Sequence, residues 1–351
     1  MFALARLVIS ERIEVSLTTR PPRSAALGVI LGFCFGGLAI PAVCSAEALR
    51  KPHKSGKPQL LRRSRLEILQ TLIKSSRWDQ AERVATRLLA GSPDNPKALF
   101  LAGMVQFRQA RYDRAIPLLK RAQDLRPETP LLAKTLAICY FSSRQHRLFE
   151  SQMERAFLQT PADPELSFFW GLHQTSVNDN PQAAVKAFDN ALRHRPSYVQ
   201  ALYHRGRAFQ KMGQKDNARK DFEASIALIE QTFFRGYSYP YQSMARLLLE
   251  DSPKGALRFA LKSVEVQPRL KNTHILVGEI HWRLGQFRKA AEAFEDATYL
   301  DPEDSRLHYW LHLLYQRLGK KKASKMALVE FRRLSPSESD ASQPPTPVAT
   351  P

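Results

Sequence analysis

Prolines recur along this chain at a near-constant interval. Pro93, Pro127, Pro161, Pro196, Pro268, Pro302 and Pro336 are separated by 34, 34, 35, 72, 34 and 34 residues, and the 72 is two steps plus four extra residues. A period of this length restricts the chain to a repeat architecture, in which each unit buries its apolar face on its neighbours. The pattern between prolines is helical. In 276–302, Ala290, Phe294 and Ala297 are spaced four and three, so they share one helix face. Gly278 lies in the preceding helical stretch, Gly285 in the turn between them, and Pro302 closes the unit.

The same positions recur elsewhere. Ala81, Ala115, Ala184, Ala218, Ala256 and Ala290 mark the second helix, Gly103, Gly171, Gly206 and Gly278 the first, and Gly213, Gly285 and Gly319 the turn. Trp78, Tyr112 and Phe287 stand just before the alanine. The pattern resembles the tetratricopeptide repeat, a helix–turn–helix unit of about 34 residues. That resemblance implies an all-α fold, a tetratricopeptide-type α-solenoid in which helix–turn–helix repeats form a right-handed superhelix. Counting from the ladder gives units at 62–95, 96–129, 130–163, 164–198, 199–232, 237–270, 271–304 and 305–336.

Departures from the pattern predict local irregularity. Unit three has Phe149 in place of the alanine and Ala137 in place of the glycine, and unit four carries one extra residue in its turn. The extra residues after unit five predict an irregular loop near 231–240 and a break there between two sub-arrays. His312 and Ser324 at the small positions of unit eight predict a splayed helix pair, and as the last unit it is expected to cap the array.

Outside the array, residues 1–46 hold an uncharged run, Ala25–Ile40, after Arg20 and Arg23 and before Pro41 and small residues. Basic, apolar and small-residue parts in this order read as a secretory signal peptide, cleaved after Ala46, or alternatively as a retained membrane anchor. Arg50, Lys51, Lys54 and Lys57 follow at once and oppose export under the positive-inside rule. The expected location is exported, periplasmic or extracellular, with membrane anchoring as the alternative. Residues 47–61 read as a basic linker, and 337–351, rich in proline and serine, as a disordered tail.

The net charge is +20, of which residues 1–46 contribute Arg6, Arg12, Arg20 and Arg23 against Glu11 and Glu14, so the excess lies mainly in the array. Such an excess attracts acidic proteins, anionic lipid, nucleic acid or anionic polymer without choosing among them. Cys139 is the one thiol beyond the N-terminal segment and, beside Ala137 and Ile138, reads as a buried structural cysteine.

The sequence contains no GxSxG, Walker loop, GxGxxG, HExxH or CxxC, so the expectation is a non-catalytic protein with no cofactor and no metal. His308 and His312, spaced i and i+4, and His274 and His281, spaced by seven, lack nearby acidic or cysteine ligands in sequence and read as structural. What the resemblance implies instead is a concave groove, lined by first helices, that takes a partner peptide. Its groove positions fall on Phe100, Met104, Phe107 and Arg108, then Phe141, Phe168 and Leu172, then Tyr203, Arg207, Lys211 and Tyr241. Ile275, Glu279, Trp282, Arg283, Tyr309, Leu313 and Arg317 complete the set. Aromatic side chains with interleaved arginine are a composition enriched at binding hot spots. They point to a protein or peptide partner of acidic and apolar character, with anionic polymer or nucleic acid as the alternative and a membrane link if the N-terminal segment is uncleaved. The lysine/asparagine clamp of chaperone-tail binders is absent: Lys134 holds the first position, but Ile138 occupies the partner position.

Overall fold

The computed structural model describes residues 64–125, 129–232 and 236–335. The N-terminal segment, the basic linker and the tail named above lie outside them. The described residues form sixteen α-helices and no strand. In pairs these are α1 (Arg65–Lys74) and α2 (Trp78–Gly91), α3 (Pro96–Arg108) and α4 (Tyr112–Leu125), and α5 (Pro130–Ser142) and α6 (His146–Gln159). Next come α7 (Pro164–Ser176) and α8 (Pro181–His194), α9 (Val199–Lys211) and α10 (Lys215–Thr232), and α11 (Tyr239–Leu248) and α12 (Pro253–Val266). The last are α13 (Lys271–Arg283) and α14 (Phe287–Leu300), and α15 (Ser305–Arg317) and α16 (Lys321–Leu334).

Local chemistry fixes where helices begin and end. Pro96, Pro130 and Pro164 open first helices at a position where no amide hydrogen is needed. The side chains of Asn95, Asp163 and Asp304 accept hydrogen bonds from the first free amides of α3, α7 and α15. The ladder prolines follow two residues after the ends of second helices, as Pro302 follows Leu300. Within most hairpins the turn needs one residue at positive φ. Gly213, Gly285 and Gly319 supply it without strain, whereas Ser76, Ala110 and Arg144 adopt it at φ of 55°, 57° and 59°.

The two helices of a hairpin meet where one has no side chain. A Cβ added to Gly278 would stand 2.6 Å from Cε1 of Phe294, and one on Gly171 or Gly206 would stand 2.5 or 2.7 Å from the ring of Phe188 or Phe222. Gly103 meets Leu119 in the same way at 2.6 Å. Unit one reverses the sizes, with Leu69 buried in one cluster with Ala81 and Ala85. Unit eight uses a polar version. Ser324, buried, lies 2.8 Å through its Oγ from Nδ1 of His312, so the small positions are bridged by a hydrogen bond and the hairpin stays closed. The expected splay is absent because the imidazole satisfies itself across the helix pair.

The connection after unit five also differs from expectation. α10 runs for 18 residues where α8 and α12 run for 14, so Gln231 and Thr232 are helical, and Tyr239 and Pro240 open α11. Buried Tyr237 and Tyr241 pack with Phe222, Ile226 and Ile229, which carries the apolar core across the connection without a break. The hairpin of unit six has a four-residue turn, Leu249–Ser252, against three residues in unit seven. Its first helix is thereby shifted by one position. Ser238, Tyr241 and Ala245 take the interior places that Thr273, Leu276 and Ile280 take in unit seven, all at 2% exposure or less.

Each helix packs on its neighbours in sequence, and the first helices α1, α3, α5, α7, α9, α11 and α13 also touch neighbouring first helices. The side on which helices approach more closely is the inner side of the curve, so first helices line the concave face. Gly278→Leu is expected to wedge α13 from Phe294 and cost about 1–3 kcal/mol by overpacking. An unchanged thermal transition would contradict this packing.

Candidate functional site

A first helix must cover its own partner and both flanking hairpins, which leaves only a narrow strip for the groove. Several expected groove residues are therefore interior: Phe141, Phe168, Tyr203, Tyr241 and Trp282 are at most 8% exposed, as are Met104, Leu172 and Ile275. Phe141 meets Phe149 and Phe169 with ring centroids 5.3 and 5.4 Å apart, and Phe168 packs on Phe188, Tyr198 and His204. Tyr203 contacts Phe222 and Tyr237. Tyr241 turns inward because of the register shift in unit six, and its hydroxyl donates to Glu230 at 3.2 Å. These side chains pack within the array.

What remains at the groove surface is partly apolar and strongly cationic. Phe100, Phe107, Tyr309, Leu313 and Arg283 are half-buried, whereas Arg108, Arg207, Lys211 and Arg317 are exposed. The aromatics below orient some of the cations. Arg207 donates to the Tyr203 hydroxyl at 3.1 Å, and Arg317 lies 4.9 Å from the Phe287 ring centre and 5.9 Å from that of Trp282. Arg108 sits 6.0 Å over Phe107. Lys211 pairs with Asp179. Among the described residues, Arg108, Arg207, Arg283 and Arg317 form no ion pair with a carboxylate.

Two charged clusters on this face carry no signature in the sequence. Lys134 is clamped by Asp163 at 2.8 Å and Glu165 at 2.6 Å. Burial alone would lower its ammonium pKa, but Glu165 and Asp163 outweigh that and hold it above the ordinary lysine range. Glu279, on α13, lies 3.7 Å from Arg246 on α11 and also feels Arg306 on α15. Burial raises the Glu279 carboxyl above its usual range against the pull of the two arginines. Arg246 is hidden from a count along the repeats because the register shift moves it from an interior position to the surface. The partners of Lys134 are hidden because they come from the start of the next unit's first helix, not from its own.

The remaining titratable groups serve packing. Cys139 is fully buried and its thiol is pushed up by burial, far from the range of a nucleophile. His274 and His308, at equivalent positions, bond through Nε2 to the carbonyls of Pro268 and Pro302 at 2.7 and 2.8 Å. Among the described residues no three His, Cys, Asp or Glu side chains gather as a metal site requires. His173 stacks on Trp170 at 5.5 Å with Glu150 at 3.7 Å. His204 is enclosed by Phe168, Phe188 and Tyr203, and burial, reinforced by Arg207, pushes its pKa down to about 3.

His204 makes stability depend on pH. Its folded pKa lies below the unfolded value of about 6.5, so its contribution is intact above that pH and erodes as pH falls and the unfolded chain takes up the proton. Between pH 7.5 and 5 the loss is expected to reach about 2 kcal/mol. His204→Phe should flatten that part of the pH profile, read by thermal denaturation across the range.

The family model for the tetratricopeptide repeat matches residues 66–130, 177–231 and 272–304, and these matches fall on the helical hairpins just described. The chain is a tetratricopeptide-repeat protein. The array resembles a tetratricopeptide repeat protein from Parabacteroides merdae with a TM-score of 0.54 at 18% identity, covering 71% of this chain and 97% of that one. It also resembles the APC/C hetero-tetramer Cut9–Hcn1 with a TM-score of 0.53 at 16% identity, covering 79% of this chain and 54% of that one. At these identities the likeness shows the fold. Among curated sequences, Protein CTR9 homolog of Arabidopsis thaliana is 22% identical over 277 residues, 68% of this chain and 25% of its own length. Superkiller protein 3 of Schizosaccharomyces pombe is 22% identical over 293 residues, 70% of this chain and 21% of its own length. The tetratricopeptide chain thus spans a quarter or less of the length of these relatives.

Proposed function

We propose that this protein is a non-catalytic interaction scaffold that holds a segment of a partner protein in the concave groove. The repeat fold is consistent with protein–protein interaction. The observation that carries the groove reading is the set of arginines, Arg108, Arg207, Arg283 and Arg317, aligned on the first-helix face without carboxylate partners among the described residues. Guanidinium groups oriented over aromatic rings are pre-set to receive carboxylates, and the half-buried Phe100, Phe107, Tyr309 and Leu313 offer apolar footing beside them. The partner segment is therefore acidic with apolar anchors.

Charge reversal at Arg108 and Arg207 is expected to remove at least tenfold of the affinity for a co-purified partner without changing helicity. Partner capture that is indifferent to both substitutions would rule out the groove. The positive surface as a whole supports a second reading, a binder of anionic polymer or nucleic acid. That reading requires affinity for such a polymer to fall steeply with salt.

Export with signal cleavage, or retention as an anchor, belongs to the same proposal and rests on the order of basic, apolar and small residues in 1–46. Among the described residues no helix is long and apolar enough to cross a membrane. N-terminal sequencing of the mature protein with its cell fraction should give a start after Ala46. An intact N-terminus in a soluble fraction would refute both versions.

A further inference from the structure

At its C-terminal end the two long edges of the array differ in charge. One edge carries the turns inside hairpins, the other the turns between them. Residues 281–289 and 315–323, which form the inner turns of units seven and eight with their flanking helix ends, contain no Asp or Glu. Arg283 and Arg317 close α13 and α15 there. Arg288, Lys289, Lys320, Lys321 and Lys322 stand around the starts of α14 and α16. None of these cations forms an ion pair with a carboxylate among the described residues. On the opposite edge of the same units, Asp301 and Asp304 are bound by Lys271 at 2.6 and 2.8 Å, and Asp304 also by Arg306 at 2.8 Å. There the carboxylates Asp301 and Asp304 are held by the chain's own cations.

Helix dipoles do not account for the basic edge. They favour cations at the ends of first helices, as for Arg283 and Arg317, but anions at the starts of second helices, where Arg288, Lys289, Lys321 and Lys322 are found. We propose that this edge of units seven and eight is a docking surface for an acidic stretch of a partner protein, continuous with the groove through Arg283 and Arg317. The inference rests on the groove reading above and assigns separate roles to the two surfaces. Apolar anchors and the carboxylates beside them sit in the groove, and a further acidic run crosses the edge.

The chemistry of the edge favours protein over other polyanions. Membrane-docking surfaces pair cations with apolar side chains that enter the bilayer, and none of the exposed large hydrophobic residues lies among these turns. Single-stranded nucleic acid requires free aromatic faces on which bases stack. Here Trp282 and Phe287 meet edge-to-face under Arg317, and the Tyr315 hydroxyl donates to Glu295 at 2.8 Å with Lys320 over its ring.

The test uses the full chain and a fluorescent polyglutamate peptide of about twelve residues, read by anisotropy at low salt, where charge pairing is least screened. The triple variant Lys320→Glu, Lys321→Glu and Lys322→Glu should weaken binding at least tenfold with helicity unchanged. A control triple on the opposite edge, Lys97→Glu, Arg193→Glu and Arg269→Glu, carries the same change in charge at exposed cations outside both surfaces and should change binding less than threefold. An equal or larger loss from the control triple than from the edge triple would overturn the inference. So would failure of the wild-type chain to bind the peptide, which leaves the groove reading to its own partner-capture test. Stronger, edge-dependent binding to phosphatidylserine vesicles or to a single-stranded oligonucleotide than to the peptide would overturn it as well.

Discussion

The array depends on a missing methyl group. At Gly103, Gly171, Gly206 and Gly278 the first helix presents bare backbone, and the large side chain of the second helix rests directly on it. Helix pairs held this closely are stiff, and stiffness within a unit lets a small rotation between units accumulate into a defined curve. The alternatives used elsewhere, Leu69 with Ala81 and Ala85 or His312 with Ser324, keep the same volume by moving bulk or polarity across the interface. What is preserved is a small residue on one side of each of these contacts. The helix that supplies it varies.

That economy explains why the groove is less aromatic than its sequence. A first helix of this kind commits its large side chains to three neighbours, so Phe141, Phe168 and Tyr203 are consumed in holding hairpins together. Long cationic side chains cannot be consumed in this way, because their charged ends must reach water. The surface chemistry of the concave side is then whatever the core did not use, and here that is arginine.

The fold was legible because periodicity survives averaging over many units: helix bounds follow from prolines and small residues whose spacing is set by packing alone. The site was less legible because facing direction depends on register, and register depends on turn length. Tyr241 falls in the core and not in the groove because of a single extra residue in the turn Leu249–Ser252. Pairings such as Lys134 with Asp163 and Glu165 join side chains about one unit apart, where no local pattern signals them. The closing of unit eight through His312 and Ser324 was invisible for another reason, since a polar pair at a packing position reads as a defect until the hydrogen bond is seen.

The same turn has a consequence for any probe placed on the array. The added residue is absorbed by the turn, because α11 still turns the same face inward: Ser238, Tyr241 and Ala245 stand where Thr273, Leu276 and Ile280 stand. Only the numbering slips. A side chain chosen in α11 by counting 34 residues back from an expected groove position of unit seven therefore falls on the core, as Tyr241 does when counted from Ile275. Any probe attached to the concave side of unit six has to be placed one residue earlier than the ladder indicates.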